Sequence, residues 1–255
     1  MTPEFGSPRT AIVTGAAKRI GAEIAAALAA DGWDVLIHYR HSAKDAEALA
    51  AKLPRARTVA ADLADPEGAG KVIAALEGMP PPGLLVNSAS AFVYDRLDDF
   101  AVDAWDMHMA ANARGPAQLA RAFAAAVTEG RGGLIVNMLD AKLASLNPDF
   151  FTYTVSKIAF AGVHELLARS LAASRIRVNA IAPSVTLVSG PQSRENFEKV
   201  HALNPLGRGV QVGEIVAALR FLIAVPTITG QTITLDGGQR FLGLPRDVQY
   251  LDQEP

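Results

Sequence analysis

A tyrosine, a lysine and an aspartate stand close together in the segment NMLDAKLASLNPDFFTYTVSK, residues 137–157. Tyr153 and Lys157 are four residues apart, so a helix would place both side chains on one face. A phenol ionises near pH ~10 when unperturbed, and a fixed ammonium group nearby favours the phenolate. Asp140 adds a carboxyl group thirteen residues before the tyrosine. These residue types at this spacing predict acid–base chemistry.

A glycine-containing turn, TGAAKRIG at residues 14–21, lies between a predicted strand and a predicted helix. Gly15 permits a tight turn and Gly21 permits close packing of the helix on the strand. The free N–H groups at the helix N-terminus would then bind a pyrophosphate. Arg19 occupies a place where such turns often carry glycine, and with Lys18 it could reach a phosphate or a substrate. The turn predicts dinucleotide binding, against the alternative of an ordinary strand–helix connection.

The second predicted strand ends in HYRHS, and this segment bears on which dinucleotide is bound. Sites that prefer NAD carry an acidic residue near this position, which binds the ribose 2′-hydroxyl. Here no acid occurs before Asp45. The segment therefore favours NADPH over NADH, with a solvated basic loop as the alternative. The predicted contacts are His38, Tyr39, Arg40, His41 and Ser42.

The composition limits the classes of function. The net charge is −2 and the pI is near 6.2, so no basic field attracts nucleic acid or an anionic membrane. Cysteine is absent, which excludes disulfides and cysteine-based metal sites and favours a reducing cytosol. No metal site is predicted. The N-terminus lacks the features of a signal peptide, and residues 1–8 are interpreted as an expression remnant.

Short β-branched apolar runs alternate with longer helical patterns. Continuous apolar strands separated by helices indicate a parallel sheet covered on both faces. The right-handed crossover rule makes this sheet doubly wound, so we predict one α/β Rossmann domain over residues 9–255. The segment 184–209 lacks clear periodicity and is predicted to be a substrate-binding loop. The seven predicted strands are 10–15, 33–40, 57–63, 83–90, 132–139, 175–183 and 231–238, and the helices bearing Asn112 and Tyr153 are predicted over roughly 105–130 and 152–173.

Several motifs together resemble the short-chain dehydrogenase/reductase family across about residues 10–241. They are TGAAKRIG, ADL at 61–63, NSAS at 87–90, Asn112, YTVSK and LDGG at 235–238, and they occur in the family's order and at its spacings. The resemblance implies NADP(H) or NAD(H) chemistry on a Rossmann fold. It also implies assembly into a homotetramer.

The roles that the resemblance implies fall on particular residues. Tyr153 would donate a proton, while Lys157 would bind the nicotinamide ribose and lower the pKa of Tyr153. Asn112 would support a proton-relay water. The implied cofactor contacts are Gly15, Lys18, Arg19, Ile20, Gly21, Asp62, Leu63, Asn87, Ser88, Ala89, Tyr153, Lys157 and Pro183.

Asp140 departs from the family pattern, which has a serine there that bonds a substrate carbonyl oxygen. Reduction of a ketone develops negative charge on oxygen, and an ionised carboxylate at that place would oppose it. Reduction of a ring C=N bond instead delivers a proton to nitrogen, which a nearby acid can donate. A carboxylate also pairs with the two N–H donors of a 2-aminopyrimidine edge. Asp140 therefore favours an imine-containing heterocycle.

One branch of the family shows this pattern. GAAKRIG, HYRHSA, NSASAF, NMLDA and TYTVSK resemble the pteridine reductases, and IAPSVTL resembles the bacterial dihydromonapterin and dihydrofolate reductases. By this resemblance Phe92 would stack on a pterin ring opposite the nicotinamide. Ser90 and Arg19 would contact pterin and cofactor together. The implied substrate residues are Arg19, Ser90, Phe92, Asp140, Tyr153 and Ser184.

The sequence thus predicts an NADPH-dependent reductase that converts a dihydropterin to a tetrahydropterin in the cytoplasm. Two alternatives stay open. One is a generic NADPH-dependent carbonyl reductase, against which Asp140 argues. The other is a catalytically idle cofactor-binding protein, against which Tyr153, Lys157 and Asn112 argue. The tail after residue 240 is expected to be ordered, because it offers Phe241 and other apolar side chains for burial.

Overall fold

A computed structural model describes residues 7–128, 130–189 and 192–251, so most of the segment interpreted as an expression remnant lies outside the described residues. All seven strands form one parallel sheet in the order β3-β2-β1-β4-β5-β6-β7, which confirms the predicted doubly wound α/β fold. The order reverses between β1 and β4, the point at which open α/β sheets bind ligands. The strands are Thr10–Val13 (β1), Asp34–Tyr39 (β2), Ala56–Ala60 (β3), Pro82–Asn87 (β4), Gly133–Met138 (β5), Ile176–Pro183 (β6) and Thr232–Leu235 (β7).

Helices cover both faces of the sheet. Within the described residues they are Arg19–Ala30 (α1), Ala43–Ala50 (α2), Gly68–Ala74 (α3), Val102–Met109 (α4), Gly115–Ala126 (α5), Phe151–Leu171 (α6), Arg194–His201 (α7) and Val212–Ala224 (α8). No helix in these ranges is both long enough and apolar enough to cross a bilayer.

Two apolar layers, one on each face, hold the sheet in place. Ile24 and Leu28 of α1 pack with Leu219 of α8 on one face. Leu119 and Phe123 of α5 pack on the other face. All five side chains are at most 1% exposed. Central strands buried on both sides give the rigid edge from which the functional residues project.

Besides shorter strand ends, the structure differs from the predicted elements in two helical segments. The helix predicted over 105–130 is interrupted by a π-helical turn, Ala110–Arg114, between α4 and α5. Within 184–209, the segment predicted to be a loop contains the helix α7. Ser193 caps α7 by accepting a hydrogen bond from the backbone N–H of Asn196 at 3.1 Å.

Candidate active site

A cavity of about 610 Å³ opens at the carboxyl ends of the central strands. Its wall follows β1 through Gly15, β4 through Ser88, β5 through Asp140 and β6 through Ser184. Tyr153 of α6 lies in the same wall. The fold therefore brings the predicted glycine turn and the predicted acid–base residues to one site.

Tyr153 and Asp140 are in direct contact in this cavity. The Tyr153 hydroxyl donates to Asp140 Oδ2 at 2.7 Å. The other oxygen, Oδ1, accepts from the backbone N–H of Lys142 at 2.8 Å, so the carboxylate is fixed at both ends. Lys157 Nζ donates to the carbonyl oxygen of Met138 at 2.9 Å. Asp140, which the sequence predicted to be a catalytic acid, thus lies beside the Tyr153 hydroxyl.

The pKa of Tyr153 is raised, not lowered as expected. Burial raises the pKa of Tyr153 well above its ordinary value, and the charge and hydrogen bond of Asp140 raise it further. The carboxylate is one hydrogen bond from the phenol, whereas Lys157 Nζ is 5.7 Å from the ring centroid. The expected direction was wrong, because burial is the largest cause and the nearer charge of Asp140 adds to it. Tyr153 is therefore a neutral phenol that can donate a proton.

Burial also acts on Lys157, lowering its pKa to about 8, and the charge of Asp140 opposes this only in part. The folded pKa lies below the unfolded value of 10.5, so the unfolded chain binds more protons between these pH values. We expect the free energy of unfolding to rise with pH above 8, by at most about 1.4 kcal/mol per pH unit. Above pH ~10 the buried Tyr153 acts in the opposite direction.

The measurement is urea unfolding of ligand-free protein at several pH values, for the wild type and for Lys157→Met. The variant should lack the rise between pH 8 and about 10 that the wild type shows. Parallel curves for the two proteins would contradict a depressed pKa at Lys157.

Asn112 lies in the π-helical turn and holds the chain that follows β4. Its Nδ2 donates to the carbonyl oxygen of Ala91 at 2.9 Å and to Ser156 Oγ at 3.0 Å. Its Oδ1 accepts from the backbone N–H of Ala91 at 2.7 Å and from Ser90 Oγ at 3.1 Å. A π-helical turn is common where a helix must aim a functional side chain. Asn112 therefore positions the segment that carries Phe92.

An aromatic wall closes one side of the cavity. The rings of Phe92 and Phe150 stack with centroids 4.3 Å apart, and Phe92 meets Tyr153 edge to face at 4.6 Å. Phe92 is 37% exposed, so part of its ring is available to a flat ligand. Phe150 was not predicted. Its φ of 54° lies in the left-handed region that few bulky residues adopt, and it directly precedes α6.

The glycine turn has the geometry that a dinucleotide phosphate needs. A Cβ added at Gly15 would lie 2.8 Å from Ala89 Cα, and one added at Gly21 would lie 2.5 Å from the Gly15 carbonyl oxygen. Both positions therefore require glycine. Helix α1 begins here with neither a side-chain cap nor an acidic residue in its first turn. Its N-terminal N–H groups and dipole remain available to an anion.

Arg19 begins α1 with a φ of 57°, which explains why glycine is common at this position of such turns. Its Nη1 donates to the carbonyl oxygen of Val188 at 2.6 Å. The side chain thus crosses the cavity mouth to the segment after β6. Arg19 and Val188 join the phosphate turn to the predicted substrate-binding segment.

Two substitutions at Arg19 distinguish the strain of its left-handed backbone from the hydrogen bond that its side chain makes to Val188. Arg19→Gly and Arg19→Ala both remove the bond to Val188, but only glycine relieves the left-handed backbone. We expect Arg19→Gly to be more stable than Arg19→Ala by about 1 kcal/mol. Urea denaturation of the two variants measures this difference. Equal stability would argue against the left-handed conformation.

A smaller cavity of about 160 Å³ adjoins the glycine turn. Its wall includes His38, Arg40, Asp62, Leu63 and Ala89. The His38 ring is buried, accepting from the Gly15 N–H at 3.2 Å and bonding the Ala61 carbonyl oxygen through Nε2 at 3.0 Å. Burial lowers the pKa of His38, which favours the neutral ring. Its role is to hold the turn.

Arg40, a predicted contact to a 2′-phosphate, and Lys18 of the glycine turn each pair with an exposed acid. Arg40 Nη1 lies 3.9 Å from Asp62 Oδ2, and Lys18 Nζ lies 3.0 Å from Asp45 Oδ2. All four side chains are 44–56% exposed. Exposed pairs of this kind contribute about 0–1 kcal/mol, so an incoming phosphate could replace either acid at small cost.

Some predicted residues lie outside both cavities. The buried Asn87 side chain donates to Asn137 Oδ1 at 2.9 Å and so joins two strands. It was expected to contact the cofactor, but it lines neither cavity. The residues predicted to line the site that form no part of either cavity wall, among the described residues, are Tyr39, His41, Ser42, Asn87 and Asn112. The predicted residues in the larger wall are Gly15, Lys18, Arg19, Ile20, Gly21, Ser88, Ala89, Ser90, Phe92, Asp140, Tyr153, Lys157, Pro183 and Ser184.

The C-terminal tail closes the far side of the larger cavity through an ion pair that local sequence patterns did not predict. Arg246 donates two hydrogen bonds to Asp149, each 2.9 Å long. Asp149 is fully buried and also accepts from the Tyr94 hydroxyl at 3.0 Å. The described part of the tail, up to residue 251, packs on the protein, but the expected burial of Phe241 was wrong, since it is 73% exposed and Val248 is buried instead. The two paired residues are 97 positions apart.

Comparisons with known proteins identify what this chain is similar to. A family model described as enoyl-(acyl carrier protein) reductase matches residues 15–240. The solved structure of FolM alternative dihydrofolate reductase 1 from Brucella canis, complexed with NADP, has 39% sequence identity and a TM-score of 0.89, covering 93% of this chain and 96% of that one.

Two curated relatives have names that describe reductases of carbonyl compounds. NADPH-dependent aldehyde reductase 2 of Arabidopsis thaliana is 32% identical over 254 residues, covering 90% of this chain and 93% of the relative. L-xylulose reductase of Mesocricetus auratus is 32% identical over 239 residues, covering 90% and 96%. These similarities leave two substrate classes to distinguish.

Proposed function

Because this chain belongs to the short-chain dehydrogenase/reductase family, we propose that it uses NADPH to reduce a ring C=N bond of a dihydropterin, giving a tetrahydropterin. The observation that carries the proposal is the hydrogen bond of 2.7 Å between Tyr153 and Asp140 inside the cavity. A paired phenol and carboxyl group suit protonation of a ring nitrogen. They suit a developing oxyanion poorly.

The cavity residues fit an NADPH molecule, which would supply the hydride. Gly15 and Gly21 allow a pyrophosphate to approach the N-terminus of α1. Arg40 and Lys18 offer exposed cations for a 2′-phosphate. Lys157, fixed by the Met138 carbonyl, has donors left over for ribose hydroxyl groups. The NADP bound by the Brucella canis protein supports the same preference here.

Proton delivery falls to Tyr153 and Asp140. Because its pKa is raised, Tyr153 keeps its proton at neutral pH and can donate it to a ring nitrogen. Asp140 accepts the Tyr153 hydrogen bond and fixes the direction of the hydroxyl group. Asp140 can then accept from an N–H of the substrate, or relay a proton from water to the phenol. The hydrogen bond from the backbone N–H of Lys142 holds the Asp140 carboxylate in this position.

The substrate ring would lie against the exposed part of Phe92. Phe150 stacks behind Phe92 with planes inclined by only 19°, which fixes the orientation of its ring. A flat heterocycle held against a fixed aromatic plane loses little further freedom before reaction. Ser90, oriented by Asn112, lies next to this surface. This arrangement favours a planar bicyclic substrate.

Reduction of an aldehyde or ketone is the second candidate, favoured by the names of the two curated relatives. A spectrophotometric assay of NADPH oxidation distinguishes the two. Dihydrobiopterin, dihydromonapterin, dihydrofolate and a simple β-keto ester are compared in parallel. We expect kcat/KM for at least one dihydropterin to exceed that for the β-keto ester. Consumption of the ester without any pterin turnover would overturn the proposal.

The same proposal includes a cytoplasmic homotetramer. Helix α6 leaves Ile158 46% exposed and Leu166 64% exposed, and α8 leaves Phe221 49% exposed. Apolar side chains of this size on helix faces are suited to contact with other subunits. Light scattering coupled to size exclusion gives the mass in solution, and a monomer would contradict the assembly.

A further inference from the structure

The C-terminal tail places a second carboxylate in the wall of the larger cavity. Asp247 shares this wall with Asp140 and Tyr153. Its Oδ1 accepts from the backbone N–H of Gln249 at 3.1 Å, which fixes the side chain. Its Oδ2 is 3.5 Å from Lys142 Nζ, a long contact that leaves capacity for another donor.

One residue connects the two carboxylates. The backbone N–H of Lys142 donates to Asp140, and its ammonium group contacts Asp247 and the Asp149 carbonyl oxygen. Asp140 accepts the Tyr153 hydroxyl on one oxygen and the Lys142 N–H on the other, which ties it to the acid–base residues. Asp247 has no such partner in the reaction centre among the described residues. The two acids are therefore suited to different tasks.

Amide side chains line the same cavity wall as Asp247. This part of the wall, Asn147, Gln192, Asp247 and Gln249, is called the amide–acid end. The buried Asn147 Oδ1 and Gln192 Oε1 receive no hydrogen bond from any residue that the structure describes. Buried acceptors without donors indicate that a ligand or water supplies them.

The cations near this end are already paired. Lys142 contacts Asp247 at 3.5 Å, Arg240 contacts Asp236 at 2.8 Å, and Arg246 contacts Asp149 at 2.9 Å. An anionic substituent would meet the Asp247 carboxylate and cations that other acids already neutralise. A neutral substituent bearing hydroxyl or amino groups would meet several acceptors.

We infer that Asp247 is a specificity-determining residue that binds hydroxyl or amino donors on the substituent of the substrate ring and disfavours anionic substituents. The inference rests on the proposed function and assigns Asp247, which lies in the same cavity wall as Asp140 and Tyr153, to the substituent of the substrate ring. Asp140 and Tyr153 act at the ring, and Asp247 selects what the ring carries.

The test measures KM and kcat of the wild type and Asp247→Asn on three substrates. They are dihydrobiopterin with its hydroxylated chain, a methyl-substituted dihydropterin without donors, and dihydrofolate with its anionic chain. Asparagine can still accept from the Gln249 N–H, so the tail should keep its fold. We expect KM to rise about tenfold for dihydrobiopterin, to stay constant for the methyl compound, and to fall for dihydrofolate.

Asp98→Asn serves as the control, because its side chain is 82% exposed and pairs only loosely with Arg96 at 3.9 Å. Its KM values should match the wild type. If Asp247→Asn changed KM by the same factor for all three substrates, Asp247 would merely hold the tail and the inference would fail, while pterin turnover would still support the proposed function. A wild type inactive on every pterin would overturn both.

Discussion

Tyr153→Phe is expected to lower kcat for dihydropterin reduction by about 10²–10⁴-fold, the usual contribution of a positioned general acid. The variant loses the one hydroxyl group that contacts Asp140 Oδ2. The phenyl ring keeps its edge-to-face contact with Phe92, so the aromatic wall stays intact. NADPH affinity should change by less than about threefold, since Lys157 and the glycine turn are untouched. Single-turnover assays and NADPH fluorescence titration measure the two quantities.

Tyr94→Phe is the matched control. The Tyr94 hydroxyl donates to Asp149 and Tyr94 forms no part of the described cavity wall. Loss of this hydrogen bond should cost about 1 kcal/mol of stability while kcat stays near the wild-type value. A Tyr153→Phe variant that kept more than a tenth of wild-type kcat would show that another group donates the proton.

The strands were predictable because burial on both faces forces continuous β-branched runs. The positions at which the strands end were harder to predict. The fourth strand was predicted over 83–90, but it ends at Asn87. The backbone N–H groups of Ser88 and Ala89 both donate to Thr14 Oγ1 at 2.9 Å, which takes them out of the ladder. A side chain 74 positions away ended this strand, and no local pattern contains that information.

The helix α7 was missed although its signals were present. Ser193 stands immediately before RENFEKVH, with an acid in the first turn and basic residues in the last. These are the usual marks of a helix start and end. The segment has few apolar residues, so periodicity alone did not distinguish it from a loop. The capping residue Ser193 and the charge pattern would have predicted this helix.

The electrostatics of the site depend on distances that a sequence does not contain. The spacing of Tyr153 and Lys157 correctly places both near one cavity. Whether the ammonium or the carboxylate dominates at the phenol depends on which is nearer. Lys157 is held by the Met138 carbonyl, while Asp140 touches the hydroxyl directly. Asp149 and Arg246 were equally inaccessible to sequence reasoning, because their pairing spans 97 positions.

Asp140→Ser is expected to abolish dihydropterin turnover while sparing NADPH binding. Serine restores the hydroxyl group that the family usually carries and removes the carboxylate that raises the pKa of Tyr153. The pKa of Tyr153 should therefore fall, although burial keeps it above its ordinary value. A pH titration of tyrosinate absorbance, relative to Asp140→Ser with Tyr153→Phe, measures this shift. Pterin kcat should fall by about 10²–10⁴-fold.

In the same experiment, Asp140→Asn removes the negative charge of the side chain while keeping its size and shape. Its amide oxygen can still accept from the Lys142 N–H, so the turn after β5 keeps its geometry. It carries no negative charge and cannot exchange a proton with Tyr153. Turnover of dihydropterin should be lost in both variants. Both should improve reduction of a β-keto ester over the wild type, because a serine hydroxyl and an asparagine N–H can each donate to a carbonyl oxygen. Near wild-type pterin turnover by either variant would remove Asp140 from proton delivery.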